Sequence, residues 1–296
     1  MPVWTAEVEL DERLVRRLLG QFALDGAPLR RLAEGWDNSV WVVDGRYAFR
    51  FPRREVAIPG LERELAVLPK LAPLLPLPVP VPAFVGEPTE EYPWPFFGAE
   101  LIPGVEAGVA ELDDQARLEV ALELAAFLRA LHAVEVDEEL PLDPNGRTDM
   151  AKRVGLAREE LGELARLGLW HAPPGLDALL EEALRLPPPE RSAVVHGDLH
   201  FRHLFVDGRA AGGVIDWGDL CVADPAIDLP LLWSFVAPDQ RAAFLEEYGP
   251  VTDAQLVRSR VLSLQLCAVL AHYGRSEGNR TVERAGVEGL ERTLAG

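Results

Sequence analysis

An α+β fold in two lobes, a small β-rich N-terminal lobe and a larger, mainly helical C-terminal lobe, is predicted by three observations in this 296-residue chain. Three short apolar alternations lie between residues 29 and 52. Helical spacing takes over from about residue 111, and strands return only briefly, at 192–195, 203–206 and 212–216. The predicted division is residues 1–102 and residues 103–296. The length is ample for two such lobes with buried cores, and a cleft between lobes is a usual ligand site.

Each element has a local reason. Leu10, Leu14, Leu18 and Phe22 recur at helical spacing, which predicts a helix over 9–24. In residues 29–52, LRRLAEGWDNSVWVVDGRYAFRFP, breaks at Gly35–Asn38 and at Asp44-Gly45 separate three strands. GLERELAVLPKLA at 60–72 reads as a helix that Pro69 would kink or end. The stretch 73–95 is proline-rich, which suits a surface linker or edge strands. FFGAELI at 96–102 reads as an apolar strand stopped by Pro103-Gly104. DDQARLEVALELAAFLRALHAV is a long amphipathic helix, and 151–185 reads as further helix around Pro173-Pro174.

Composition excludes some classes of function. The net charge of −19, from 48 acidic against 29 basic residues, disfavours nucleic acid and anionic membranes and favours cationic ligands. Cys221 and Cys267 are the two cysteines; they form no close metal-ligand pair, and the chain does not read as a disulfide framework. The first residues, MPVWTAEVELDERL, lack a basic-then-apolar signal segment. No uninterrupted apolar run approaches the roughly 18 residues that span a bilayer. A cytoplasmic protein is expected.

The chemistry concentrates in residues 196–219, HGDLHFRHLFVDGRAAGGVIDWGD. Asp198 follows a strand-like run and His196-Gly197. His203 comes five residues later, and Asp216 closes a strand eighteen residues after Asp198. Phosphoryl transfer needs one carboxylate near the attacking hydroxyl and others holding a divalent cation against the phosphates. A loop and hairpin of this kind supply both. Asp198 would orient or deprotonate the hydroxyl, and Asp216 would ligate Mg²⁺ through oxygen.

These residues resemble the aminoglycoside phosphotransferase family, relatives of protein kinases. The family pattern is H-G-D-x-x-x-x-N, then I-D-[WF], then D-P-x-x-D. Here it reads His196-Gly197-Asp198, Ile215-Asp216-Trp217, and Asp224-Pro225 with Asp228. The resemblance implies a protein-kinase-like fold, ATP or GTP as phosphate donor, and a small-molecule hydroxyl as acceptor. The acceptors of such enzymes include aminoglycosides, macrolides, choline-like amines, homoserine and sugars, and the acidic net charge leans toward a cationic one. The resemblance also implies that Arg50 and Glu64 form the phosphate-binding pair, and that Gly35–Ser39 covers the phosphates. Glu100–Ile102 would be the hinge that bonds the base, so Glu100 and Ile102 are expected nucleotide contacts.

Two positions depart from the pattern. The two lysines, Lys70 and Lys152, both lie off the candidate strand, so the phosphate contact falls to Arg50, with Arg53 nearby. His203 replaces the family's metal-binding asparagine. Imidazole could ligate the metal and shift preference toward Mn²⁺, bind phosphate, or leave Asp216 to act alone. These departures open an alternative, a catalytically impaired kinase-like protein that binds a nucleotide or small molecule. A hydrolytic zinc cluster of His196, Asp198, His200 and His203 is a further rival. His196 is expected to brace the loop, His132 to be structural, and Asp224 and Asp228 to fix loops or cap a helix. Trp217 and Asp219 flank the metal site, where packing and acceptor contact are both open. Glu246 and Glu247 read as a solvated helix face.

Overall fold

The β-branched and aromatic residues of 29–52 pair as an antiparallel meander: β1 (Leu29–Glu34), β2 (Asn38–Val43) and β3 (Tyr47–Pro52). The computed structural model describes residues 6–35, 37–137, 139–189 and 192–295. Asp44 and Gly45 both take positive φ, 54° and 65°, and so turn β2 into β3. α1 (Glu12–Leu19) precedes the meander, capped by Asp11, whose carboxylate accepts the Leu14 N–H at 2.7 Å. Its Leu14, Val15, Leu18 and Leu19 are buried against residues of the sheet.

α2 (Ile58–Leu71) contains Pro69 but runs on to Leu71 before a 3₁₀ turn. Of the two expected effects of Pro69, a kink or an end, the end does not occur at that residue. β4 (Pro82–Gly86) and β5 (Phe96–Glu100) complete a sheet of order β1-β2-β3-β5-β4. The proline-rich stretch thus supplies an edge strand, where missing N–H donors are tolerated. Phe22, Phe49, Phe51, Phe84, Tyr92 and Phe96 interlock on this sheet at ring separations of 4.7–6.3 Å. Each fully buried ring contributes about 1.5–3 kcal/mol. Gly98 makes the packing possible, because a Cβ there would meet the Phe49 ring at 2.6 Å.

The chain divides into two units. The first runs to Pro73 and resumes at Val79–Ile102; Leu74–Pro78 group with the second, from Pro103 onward. Within the second unit, the Val214 N–H donates to the Pro78 carbonyl at 3.0 Å. This unit holds β6 (Val105–Glu106), α3 (Asp114–Leu131), α4 (Met150–Arg166), α5 (Leu176–Ala183), β7 (Ala193–Val195), β8 (Leu204–Asp207), β9 (Ala210–Val214) and β10 (Cys221–Ala223). It closes with α6 (Pro230–Ser234), α7 (Arg241–Tyr248), α8 (Asp253–Ser276) and α9 (Arg280–Leu294). β6, β8 and β9 form one small sheet, and β7 pairs with β10.

α8 is long and apolar enough to cross a membrane by composition, yet 67% of its most apolar window is buried inside the protein. It is a core helix, packed on α4, α5 and α9 residues such as Val154, Leu180 and Leu290. Asp224 ties α8 to the loop after β10. Its carboxylate accepts from Arg258 Nη1 at 2.5 Å, Gln255 Nε2 at 2.9 Å and the Ala226 N–H at 3.0 Å. Both charged side chains are 2% exposed. Asp224→Ala would leave the Arg258 charge buried without its partner, which costs about 3–5 kcal/mol. Urea unfolding should show that loss; a change below about 1 kcal/mol would refute this role for the pair.

Candidate active site

The catalytic loop follows β7 directly. Gly197 sits at φ 89°, and a Cβ there would lie 2.3 Å from the Asp219 carbonyl oxygen, so only glycine fits. The fully buried Asp228 carboxylate grips this turn, accepting the His196 N–H at 2.7 Å and the Gly197 N–H at 2.9 Å. His132 Nε2 lies 3.1 Å from the same carboxylate, and His132 Nδ1 lies 2.8 Å from the Tyr248 hydroxyl. Burial alone would push the Asp228 carboxyl up. The bond and charge of His132, with His196 and Gly197, outweigh it and hold the group below the usual carboxylate range. His196 Nε2 donates to the Ile215 carbonyl at 2.9 Å, and its Nδ1 accepts the Asp198 N–H at 3.2 Å. His196 therefore links the catalytic loop to the residue before Asp216, as the expected brace.

Asp198 projects from this turn among charged neighbours. Arg147 Nη2 lies 2.9 Å from its Oδ1 and also bonds Asp219 Oδ2. His200 Nε2 and His203 Nδ1 are 3.8 and 3.9 Å from Asp198 Oδ2. Burial raises the Asp198 carboxyl above its ordinary value, and the charges of Arg147 and His203 only partly reverse this. A carboxylate so placed is a better proton acceptor than one in open water.

The donor set fits a divalent cation at His203 and Asp216. His203 Nδ1 lies 2.8 Å from the Asp198 carbonyl oxygen, which can only accept, so Nδ1 carries the proton and Nε2 keeps a lone pair. That Nε2 is 3.4 Å from Asp216 Oδ2. Two ligands each roughly 2.1 Å from one ion sit about 3.0–3.4 Å apart. Asp216 holds φ 65°, a conformation unusual for a residue with a side chain and typical of functional positions.

Asp198, His200 and His203 also place ligand-type atoms within 4.8 Å of one another. Their hydrogen bonds argue against a metal there. His203 Nδ1 is committed to a carbonyl, and His200 Nδ1 accepts the Arg202 N–H at 3.2 Å, which puts its proton on Nε2. Both nitrogens of His196 are engaged as well. The zinc-cluster rival therefore lacks free nitrogen lone pairs at His196 and His200.

The first unit holds the expected phosphate pair. Arg50 Nη1 contacts both oxygens of the buried Glu64 carboxylate, at 2.8 and 3.1 Å. With its amide oxygen turned toward the guanidinium, Asn38 accepts from Arg50 Nε and Nη2 at 3.1 and 2.9 Å. Arginine at this position thus ties the first residue of β2 to α2, which a lysine's single ammonium could not do through the same fork. Trp36, inside the expected Gly35–Ser39 covering loop, lies outside the described residues. Arg53 is directed elsewhere, to the Gly35 carbonyl at 2.9 Å and to Glu34 at 3.2 Å. At the expected hinge, the Leu101 N–H donates to the Arg46 carbonyl at 2.9 Å. The Glu100 side chain is exposed and pairs with Arg46 at 2.7 Å.

The structure brings Asp198, His203 and Asp216 together, and separately Arg50 with Glu64. Asp224 and Asp228 are buried loop anchors. Trp217 is fully buried, packs 4.8 Å from the His196 ring and donates to the Val214 carbonyl, so its part is packing. Glu247 pairs with Arg129 at 2.8 Å. Sequence reasoning missed Arg147 and Asn38. Arg147 stands 72 residues before Asp219 in a loop with no motif. Its one local signal is the turn-forming Asp143-Pro144-Asn145-Gly146 that precedes it.

A two-unit fold with a histidine-braced loop aspartate and a second carboxylate close to His203 has the layout of a kinase-like phosphotransferase. Residues 28–257 match the sequence profile of the Phosphotransferase enzyme family. The chain belongs to this family. Aminoglycoside 2'-phosphotransferase-IIIa, solved as a GDP complex, is 22% identical with a TM-score of 0.69, over 96% of this chain and 98% of that one. Macrolide 2'-phosphotransferase MphH from Brachybacterium faecium is 23% identical with a TM-score of 0.59, over 93% of this chain and 97% of that one. Both likenesses are of fold. The uncharacterized protein YcbJ of Bacillus subtilis (strain 168) is 40% identical over 62 residues, a fifth (20%) of each chain.

The Asp228 anchor yields a pH signature. Asp228→Asn removes charged hydrogen bonds and should cost about 1.5–3 kcal/mol near neutral pH. A depressed carboxyl stabilises fully above the unfolded value of about 3.9 and loses that contribution as pH falls through the lower folded value. The stability gap between wild type and variant should therefore narrow in acid. Denaturant melts across that range that show a constant gap would contradict the assignment.

Proposed function

We propose that this enzyme transfers the γ-phosphate of ATP or GTP to a hydroxyl of a small molecule, with Asp198 as the proton acceptor. The observation that carries the proposal is the Asp198 turn set beside the 3.4 Å pair of His203 Nε2 and Asp216 Oδ2. Asp198 aligns the acceptor hydroxyl and takes its proton as the oxygen attacks phosphorus. Asp216 and His203 would hold a divalent cation, Mg²⁺ or Mn²⁺, which neutralises phosphate charge when bound. Arg50, oriented by Glu64 and Asn38, would contact the donor phosphates, and the backbone of Glu100 and Ile102 the base. Solved relatives carry GDP with kanamycin, ADP, and ATP with streptomycin, which supports a nucleotide donor and leaves its base open. Aminoglycosides and macrolides are the acceptor classes those relatives suggest.

The impaired, binding-only alternative gains nothing from the site. The catalytic turn is intact, the Arg50–Glu64 pair is formed, and His203 presents a lone pair where the family has an amide oxygen. Two free, buried cysteines support a cytoplasmic setting.

Asp198→Asn should lower nucleotide turnover about 10²–10⁴-fold in an ADP-release assay. Retained full turnover would overturn the scheme. His203→Asn should weaken Mn²⁺ binding more than Mg²⁺ binding in calorimetric titrations with nucleotide, since imidazole suits the softer ion. Equal titrations for both proteins and both ions would remove His203 from the metal site.

A further inference from the structure

The Asp198 carboxylate is paired with a cation that no motif announces. Arg147 lies between Asp198 and Asp219 and bonds both. Its loop is tightly built. The Asp143 carboxylate accepts the N–H groups of Arg147 and Thr148 at 2.7 and 2.8 Å, and the Thr148 hydroxyl at 2.5 Å. Arg153 Nε donates to the Gly146 carbonyl at 2.9 Å, and Lys152 Nζ to the Asn145 carbonyl at 2.9 Å. Three cations, Arg147, Lys152 and Arg153, thus cluster on one short segment of a chain whose net charge is −19. Arg147 Nε is buried with no hydrogen-bond partner among the described residues.

Two consequences follow for an acceptor approaching Asp198. Asp219, free to bind an amine if it stood alone, is already neutralised. The guanidinium has only donors, as an ammonium does, so the two cannot pair; the 14% of the Arg147 side chain that stays exposed can hydrogen-bond only to an acceptor atom such as oxygen. The acidic surface attracts cations from a distance, but salt screens that pull beyond about 10 Å. At contact range Arg147 decides.

We propose that Arg147 is a specificity residue, and that the acceptor is a hydroxyl compound with an oxygen-rich, neutral or singly charged surface rather than a polyamine. Arg147 excludes clustered amines by like charge and donates to an acceptor oxygen. This rests on the phosphotransferase reading above and narrows its acceptor.

The test compares kanamycin, a polycation, with erythromycin, a single amine, and inositol, which is neutral. Calorimetry and ADP release are run on wild type, Arg147→Gln and Arg147→Lys. Wild type should bind kanamycin weakly. Arg147→Gln, which frees Asp219, should bind it about tenfold tighter or more. Arg147→Lys, which keeps the charge, should resemble wild type. In turnover, Arg147→Gln should shift kcat/KM toward kanamycin relative to the other two by a similar factor, mainly through KM. Kanamycin binding to wild type as tight as to Arg147→Gln would overturn the proposal, as would wild-type turnover of kanamycin above that of both other probes. Thermal melting checks that the variants fold, and the wild-type comparison stands without them. Failure of the phosphotransferase reading looks different: Asp198→Asn would then leave nucleotide turnover unchanged, whatever the acceptor.

Discussion

One carboxylate holds the candidate catalytic turn in place. Asp228 accepts the backbone N–H groups of His196 and Gly197 from beneath, so the strained glycine and the aspartate after it have a single available path. His132 and Tyr248 extend the support into α7 and the end of α3. His196 then carries the order onward to Ile215, next to Asp216. The distance from structural anchor to candidate metal carboxylate is two hydrogen-bonded steps. A buried charge with several donors is costly to disturb, and that cost becomes positional precision at Asp198.

Charge in this chain is arranged by layer. The chain carries a net charge of −19, while several buried and half-buried acids meet a specific base: Glu64 with Arg50, Asp224 with Arg258, Asp198 and Asp219 with Arg147. Asp216 meets an imidazole instead. The two departures from the family pattern fit this arrangement. Arginine at position 50 reaches both Glu64 and Asn38, and histidine at position 203 presents one lone pair with its other nitrogen fixed on a carbonyl.

Much of the fold was legible in the chain because its signals are local. The strand alternation of 29–52, the Asp44-Gly45 turn and the helical spacing of α3 each depend on neighbours in sequence. Pro69 does not stop α2 because the bond it forfeits, to the Leu65 carbonyl, is one local loss, and the buried Leu68 and Leu71 carry the helix two residues past it. α8 passes for a membrane segment by composition and is shown to be a core helix only by what surrounds it.

The sequence by itself determined the chemistry of the candidate site: two aspartates and a histidine at fixed spacing on the segments that flank one short hairpin, whose geometry short-range pairing sets. Tertiary structure decided what those groups face. Arg147 reaches Asp198 and Asp219 from a loop far upstream, and Asp228 reaches His196 and Gly197 across the turn. Such contacts join segments that share no local pattern. They are created when buried charges must find partners, and a chain read in one dimension carries no record of which partner each will find.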